Sequence, residues 1–118
     1  MKPVAPGERL VVNIHEAEYE PFVTDNGETD GFTLQLDRSK PLGTGFHVYK
    51  MEPGHTTIAH EHTGNEEFLL ISGDLRDNDG TVYREGDLVW MKAGTQHNSY
   101  SENGCLLAVF IETNEASV

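Results

Sequence analysis

Turn signals recur about every eight to twelve residues along this chain, and no stretch carries a sustained helical repeat. The clusters are Asp25-Asn26-Gly27, Glu52-Pro53-Gly54, Asp77-Asn78-Asp79-Gly80, Ala93-Gly94 and Glu102-Asn103-Gly104. Each supplies glycine or asparagine where a tight turn needs a positive φ. Such frequent punctuation leaves room for short strands rather than helices, and it predicts an all-β sandwich or barrel. The expected strands are residues 9–15, 32–37, 45–51, 56–62, 66–72, 81–84, 88–91, 97–101 and 105–112. Asp79-Gly80, between Leu75 and Val82, reads as a hairpin turn. Phe68-Leu69-Leu70-Ile71 and residues 106–111 are apolar at every position, so they are expected as central strands packed on two sides. A closed or double-sheet arrangement would also remove exposed strand edges.

A chain of 118 residues suits one domain with a real core. Residues 1–30 are acidic and weakly patterned (Glu16, Glu18, Glu20, Asp25, Glu28, Asp30), which suits an arm or edge strand, with the barrel domain at 31–118. The formal charge is −12, from 8 Lys+Arg against 20 Asp+Glu. That balance argues against nucleic acid or an anionic membrane surface as partner, since both need basic patches. Cys105 is the one cysteine, so no intramolecular disulfide forms, and its apolar run predicts a buried, inert thiol. No apolar run approaches the roughly 18 residues of a membrane span, and the first residues lack an apolar signal core. A cytoplasmic location is the expectation.

The chemistry concentrates in His60-Glu61-His62, with Glu66 four residues on and His97 far downstream. On a strand, residues two apart point to one face, so His60 and His62 should project together, with Ile58 beside them. Imidazole suits zinc, iron, copper and nickel, and a carboxylate adds a hard oxygen donor. His60, His62, Glu66 and His97 are therefore the candidate ligands of one divalent metal ion. Glu67, one step along, should face away. His47 and His55 read as ordinary strand residues, with His55 a candidate to support the ligands from behind. Trp90, Phe46, Phe68, Tyr49 and Met51 read as core or dimer contacts ahead of pocket walls. Tyr83, Arg84 and Tyr100 are candidates for a barrel mouth. No glycine-rich phosphate loop and no nucleophile elbow is present.

Gly54, five residues, His60-x-His62, three residues, Glu66, six residues and Gly73 match the first cupin motif position for position. The second motif is partial, with Gly86, Gly94 and His97 in place but Lys92 standing for proline and Ser101 for asparagine. Glu66-Glu67-Phe68-Leu69-Leu70-Ile71-Ser72-Gly73 and Gly94-Thr95-Gln96-His97 further resemble cupins of the ChrR and acetylacetone dioxygenase-like type. The resemblance implies a double-stranded β-helix (a cupin jelly-roll barrel) and a divalent metal held by His60, His62, Glu66 and His97. Iron, zinc, manganese and nickel are not distinguished by it.

It also implies a function. The first expectation is a metal-dependent, dioxygenase-like enzyme acting on a small oxygen-chelating molecule. The alternatives are a non-catalytic metal or small-molecule sensor related to the ChrR-type regulator, and a sugar isomerase or epimerase, against which the retained ligands count. An anti-sigma role is not expected, because the chain lacks the regulator's zinc-binding helical domain. A homodimer is the family expectation.

Overall fold

The computed structural model describes residues 1–118 and contains thirteen strands and no helix. They are β1 (Glu20–Val23), β2 (Thr29–Leu34), β3 (Gly45–Met51), β4 (His55–Thr56), β5 (His60–Glu61), β6 (Glu66–Gly73), β7 (Leu75–Asp77), β8 (Val82–Tyr83), β9 (Leu88–Met91), β10 (Gln96–His97), β11 (Ser99–Ser101), β12 (Cys105–Ile111) and β13 (Ala116–Ser117). All pairings are antiparallel. A six-stranded sheet runs β1-β2-β3-β12-β6-β9. Across from it lie a three-stranded sheet, β10-β5-β13, and a four-stranded sheet, β4-β11-β7-β8.

The apolar side chains follow the strand period. Phe68 and Leu70 on β6, and Cys105, Leu107, Val109 and Ile111 on β12, point inward and join Met51 and Leu75 in one buried cluster. Burial pushes the Cys105 thiol up to about 11, which keeps it protonated and unreactive. Glycine is required where the backbone closes on itself. Gly73 has φ +91°, and a Cβ there would overlap the Gly104 carbonyl at the β6–β12 edge.

The structure corrects several expected strands. Residues 56–62 divide into β4 and β5 because the chain changes sheets between them. β4 pairs with β11, while β5 pairs with β10 and β13. Residues 97–101 divide into β10 and β11 for the same reason. Residues 9–15 form no strand: Leu10 and Val11 find no edge to pair with and stay exposed, and Asn13 starts a turn instead. The β7–β8 hairpin forms over Asp79-Gly80 as expected, with Leu75 opposite Tyr83. Phe68-Leu69-Leu70-Ile71 and residues 106–111 do lie centrally in the sheet, but only one face is covered. Leu69 and Phe110 are exposed on the other, beside Phe46, Leu88 and Trp90. No helix is long and apolar enough to cross a membrane.

Candidate metal centre

His60, His62 and His97 come together inside the barrel, their ring centroids 4.6 to 5.1 Å apart. The sheets explain this convergence. β5 pairs with β10 so that His97 lies directly opposite His60, although 37 positions separate them. His62 is 1 % exposed and follows β5, held by Gly94 N–H donating to its carbonyl and by its own N–H donating to Thr95 O. Glu66 starts β6 and is buried, while Glu67 faces outward, as strand alternation requires. Ile58 lies apart from this cluster, in the wall of an outer pocket.

Each imidazole is anchored through Nδ1. His60 Nδ1 donates to Ile58 O at 2.8 Å. His97 Nδ1 donates to Asp77 Oδ2 at 3.0 Å. His62 Nδ1 meets Thr95 Oγ1 at 2.8 Å, and the Thr95 hydroxyl spends its own hydrogen on Lys92 O. That hydroxyl can then only accept, so His62 Nδ1 carries the proton. All three anchors leave Nε2 as a bare lone pair facing the cluster. Such anchoring from behind fixes ring orientation and tautomer in metal-binding histidines.

A carboxylate that sequence reasoning missed completes the group. Glu115, between β12 and β13, places Oε2 3.4 Å from His60 Nε2 and Oε1 3.6 Å from His62 Nε2. Glu66 Oε2 lies 3.5 Å from His62 Nε2. Two donor groups emerge that could hold an ion, His60/His62/His97 and His62/Glu66/Glu115, which share His62.

The residues fit a divalent cation. His62 Nε2 is fully buried and has no hydrogen-bond partner, a costly state for a polar atom that nothing else relieves. Donors about 2.1 Å from an ion sit roughly 3.0–3.4 Å from one another; the histidine–carboxylate separations here are 3.4 to 3.6 Å, and the donor atoms within each group lie within 4.8 Å of one another. The electrostatics agree. Burial pulls His62 down to about 4, so its lone pair stays free. Burial and then the neighbouring Glu115 push Glu66 well above the usual carboxylate range, the sign of a site short of positive charge.

Asp77 behaves in the opposite way. Burial opposes its ionisation, but hydrogen bonds from His97, Ser99 and Tyr83 overcome that and hold its carboxyl below the ordinary value. Tyr83 Oη donates at 2.6 Å and Ser99 Oγ at 2.6 Å. Tyr83 therefore belongs to the interior, Arg84 is exposed on the surface, and Tyr100 lies under the Arg76 guanidinium, 4.8 Å from its ring centroid. None of the three lines the cavity beside the donors or the pocket outside it. His55 binds Asp30 at 2.6 Å and touches no ligand candidate, and His47 is buried in the cavity wall.

His60, Glu66, His97 and Glu115 line a cavity of about 70 Å³. Phe68, Leu75, Leu107, Val109 and Ile111 give it an apolar wall, with Tyr49 and Met51 also lining it. Phe46 and Trp90, by contrast, stand on the outer face of the sheet. Thr33 Oγ1, buried in the same wall, is without a partner.

The sequence profile of the ChrR cupin-like domain matches residues 7–114. The chain therefore belongs to the ChrR cupin-like family, and its barrel is the cupin fold. No curated protein matches the sequence significantly. Among solved structures, it is similar to the polyketide cyclase RemF from Streptomyces resistomycificus, with 16 % identity over 93 % of this chain and 85 % of that one, and a TM-score of 0.71. It is also similar to a putative acetylacetone dioxygenase from Methylibium petroleiphilum, with 15 % identity over 93 % and 81 %, and a TM-score of 0.72. The structure of Rhodobacter sphaeroides SigE in complex with the anti-sigma ChrR matches at 16 % identity and a TM-score of 0.64. That match covers 85 % of this chain and 52 % of the other. These likenesses establish the fold.

Proposed function

We propose that His60, His62, Glu66 and His97 hold one divalent metal ion, and that the protein is a dioxygenase-like enzyme for a small oxygen-chelating molecule such as a β-diketone. The observation that carries this reading is the convergence of three anchored Nε2 lone pairs on one point, with His62 Nε2 buried and partnerless. A bound iron would supply Lewis acidity, a template for two oxygen donors, and redox chemistry with O₂.

The chain's own residues do the rest. Ile58 O, Thr95 and Asp77 orient the imidazoles, and Glu66 adds negative charge that favours a cation. The apolar wall of Phe68, Leu107, Val109 and Ile111 excludes water and suits the carbon skeleton of a small carbonyl compound. The cavity is small, which favours a substrate of few heavy atoms. Similarity to structures named as an acetylacetone dioxygenase and a polyketide cyclase supports a carbonyl substrate class.

The test is elemental analysis of anaerobically purified protein beside His62→Ala, followed by oxygen uptake over a β-diketone panel. Stoichiometric iron, lost in the variant, with oxygen uptake supports the enzyme. Stoichiometric zinc without uptake moves the reading to a sensor. No metal in either protein after reconstitution overturns the four-donor site. We also infer a homodimer through the outer face of the six-stranded sheet, where Phe46, Leu69, Leu88, Trp90 and Phe110 are exposed. Analytical ultracentrifugation of the wild type against Phe110→Asp decides it, with a monomeric wild type overturning the inference.

A further inference from the structure

We propose that Glu115 is a further and exchangeable donor to the ion, and that a monoanionic oxygen chelator enters the site by taking its place. This rests on the metal reading above. The two carboxylates at the centre are held very differently. Glu66 sits in β6, opposite Ile111 of β12 on one side and Met91 of β9 on the other, so it cannot withdraw without tearing the sheet. Glu115 is carried by the short segment after β12. β13 spans two residues and pairs only with β5, Ala116 opposite Glu61 and Ser117 opposite His60. The other ties are polar: Thr63 Oγ1 donates to Asn114 O at 2.6 Å, Val118 N–H to Ala59 O at 3.0 Å, and Ser117 bonds Asp25 in the β1–β2 turn. Thr63 and Asp25 are exposed. A segment held by a few hydrogen bonds at the surface, with little apolar burial, opens at low cost.

Its position makes that opening consequential. Glu115 lines the inner cavity and also an outer pocket of about 240 Å³, whose walls include Phe22, Asp25, Leu42 and Ile58. Glu115, His60, Phe22 and Asp30 are common to both spaces, so these four form the partition between them. A molecule arriving through the outer pocket meets the Glu115 carboxylate before it meets His62, whose partnerless Nε2 points at the same place.

Charge then sets what can replace it. A divalent ion beside ionised Glu66 and Glu115 is formally neutral. Replacing Glu115 with one monoanion keeps the buried site neutral. A dianion would leave an excess negative charge in the barrel, and a neutral ligand an excess positive one, and buried net charge is costly. A bidentate monoanion, such as a β-diketone enolate, matches the departing carboxylate in charge and donor type. The displaced Glu115 side chain turns into the outer pocket and regains water.

The experiment loads wild type, Glu115→Ala and the size-conserving Glu115→Gln with cobalt(II). Visible absorption reads the coordination without any turnover, under anaerobic conditions, with acetylacetone as probe. Cobalt affinity should fall no more than about tenfold in the variants, because four donors remain. Acetylacetone should bind at least about tenfold tighter in both variants, since nothing has to be displaced, a gain of about 1.4 kcal/mol. The spectra of wild type and variants should differ without acetylacetone and coincide with it. Spectra that stay different in its presence, or acetylacetone affinity unchanged or weaker in the variants, overturn the proposal while leaving the four-donor site standing. Failure of the wild type to take up cobalt overturns both.

Discussion

Asp77 and Glu66 are both buried carboxylates at the imidazole cluster, one against His97 and the other against His62, and their surroundings are opposites. Asp77 receives His97, Ser99 and Tyr83 and is stabilised as an anion. Glu66 faces a lone pair on His62 and a second carboxylate on Glu115, and its anion is disfavoured. One is a finished interaction that serves the fold and fixes His97. The other is unfinished within the polypeptide alone. The difference separates support from site: a buried carboxylate with its donors supplied by the chain builds structure, whereas one left without them is set to take a cation.

The largest expected effect attacks the supporting side. Asp77→Leu keeps the branched shape, though larger, but offers no acceptor to His97, Ser99 and Tyr83. At about 1–3 kcal/mol per stranded group, metal-free stability should fall by at least about 3 kcal/mol in urea denaturation. A loss below about 1 kcal/mol would break the contrast. Thr95→Val removes the acceptor that fixes the His62 tautomer at the rim of the site. Metal affinity, read by chelator competition, should drop about 10- to 100-fold, with a smaller change in metal-free stability.

Glu66→Gln is the counterpart of the Asp77 change and should look harmless in EDTA. Removing an anion that burial opposes should leave metal-free stability within about 1 kcal/mol of the wild type, while metal affinity is lost. Equal destabilisation by Glu66→Gln and Asp77→Leu would erase the distinction between the two carboxylates.

His47, buried in the cavity wall, gives the smallest effect. Burial lowers it from the ordinary 6.5, despite its hydrogen bond to Gly45 O. The unfolded chain therefore takes up this proton at higher pH than the folded one. The stability that neutral His47 contributes is present above pH 6.5 and is lost as pH falls through the folded value. His47→Gln should flatten that part of the curve of metal-free stability against pH, measured from 7 down to 5. An unchanged slope would assign the acid sensitivity elsewhere.

The sheet's two faces show how far pattern reading reaches. Alternation at the start of β6 was legible, and it correctly sent Glu66 inward and Glu67 outward. That Phe46, Leu69 and Trp90 stay exposed on the outer face was not legible, because apolar residues there look the same in sequence as those of a core. The strand breaks at 57–59 and at Asn98 were also hidden. They come from the chain leaving one sheet for another, a choice made by partners distant in sequence. A mark of Asp77 was visible in the Asp-Asn-Asp-Gly turn, but it read only as a turn. Glu115 had no signal, being one acid among twenty Asp and Glu.

The sequence by itself determined the turns, the all-β character, the inward direction of His60, His62 and Glu66, and the family motif. These follow from local rules: φ preferences at glycine, and the two-residue period of a strand. Only the tertiary structure decided that His97 lies opposite His60, that Thr95 and Asp77 bond the imidazole Nδ1 atoms, and that Glu115 lies against His60 and His62. Antiparallel pairing and sheet switching bring those residues together from 20 to 55 positions apart. Side-chain direction is a property of the local backbone, but the identity of a neighbour depends on register with another strand, which no local spacing contains.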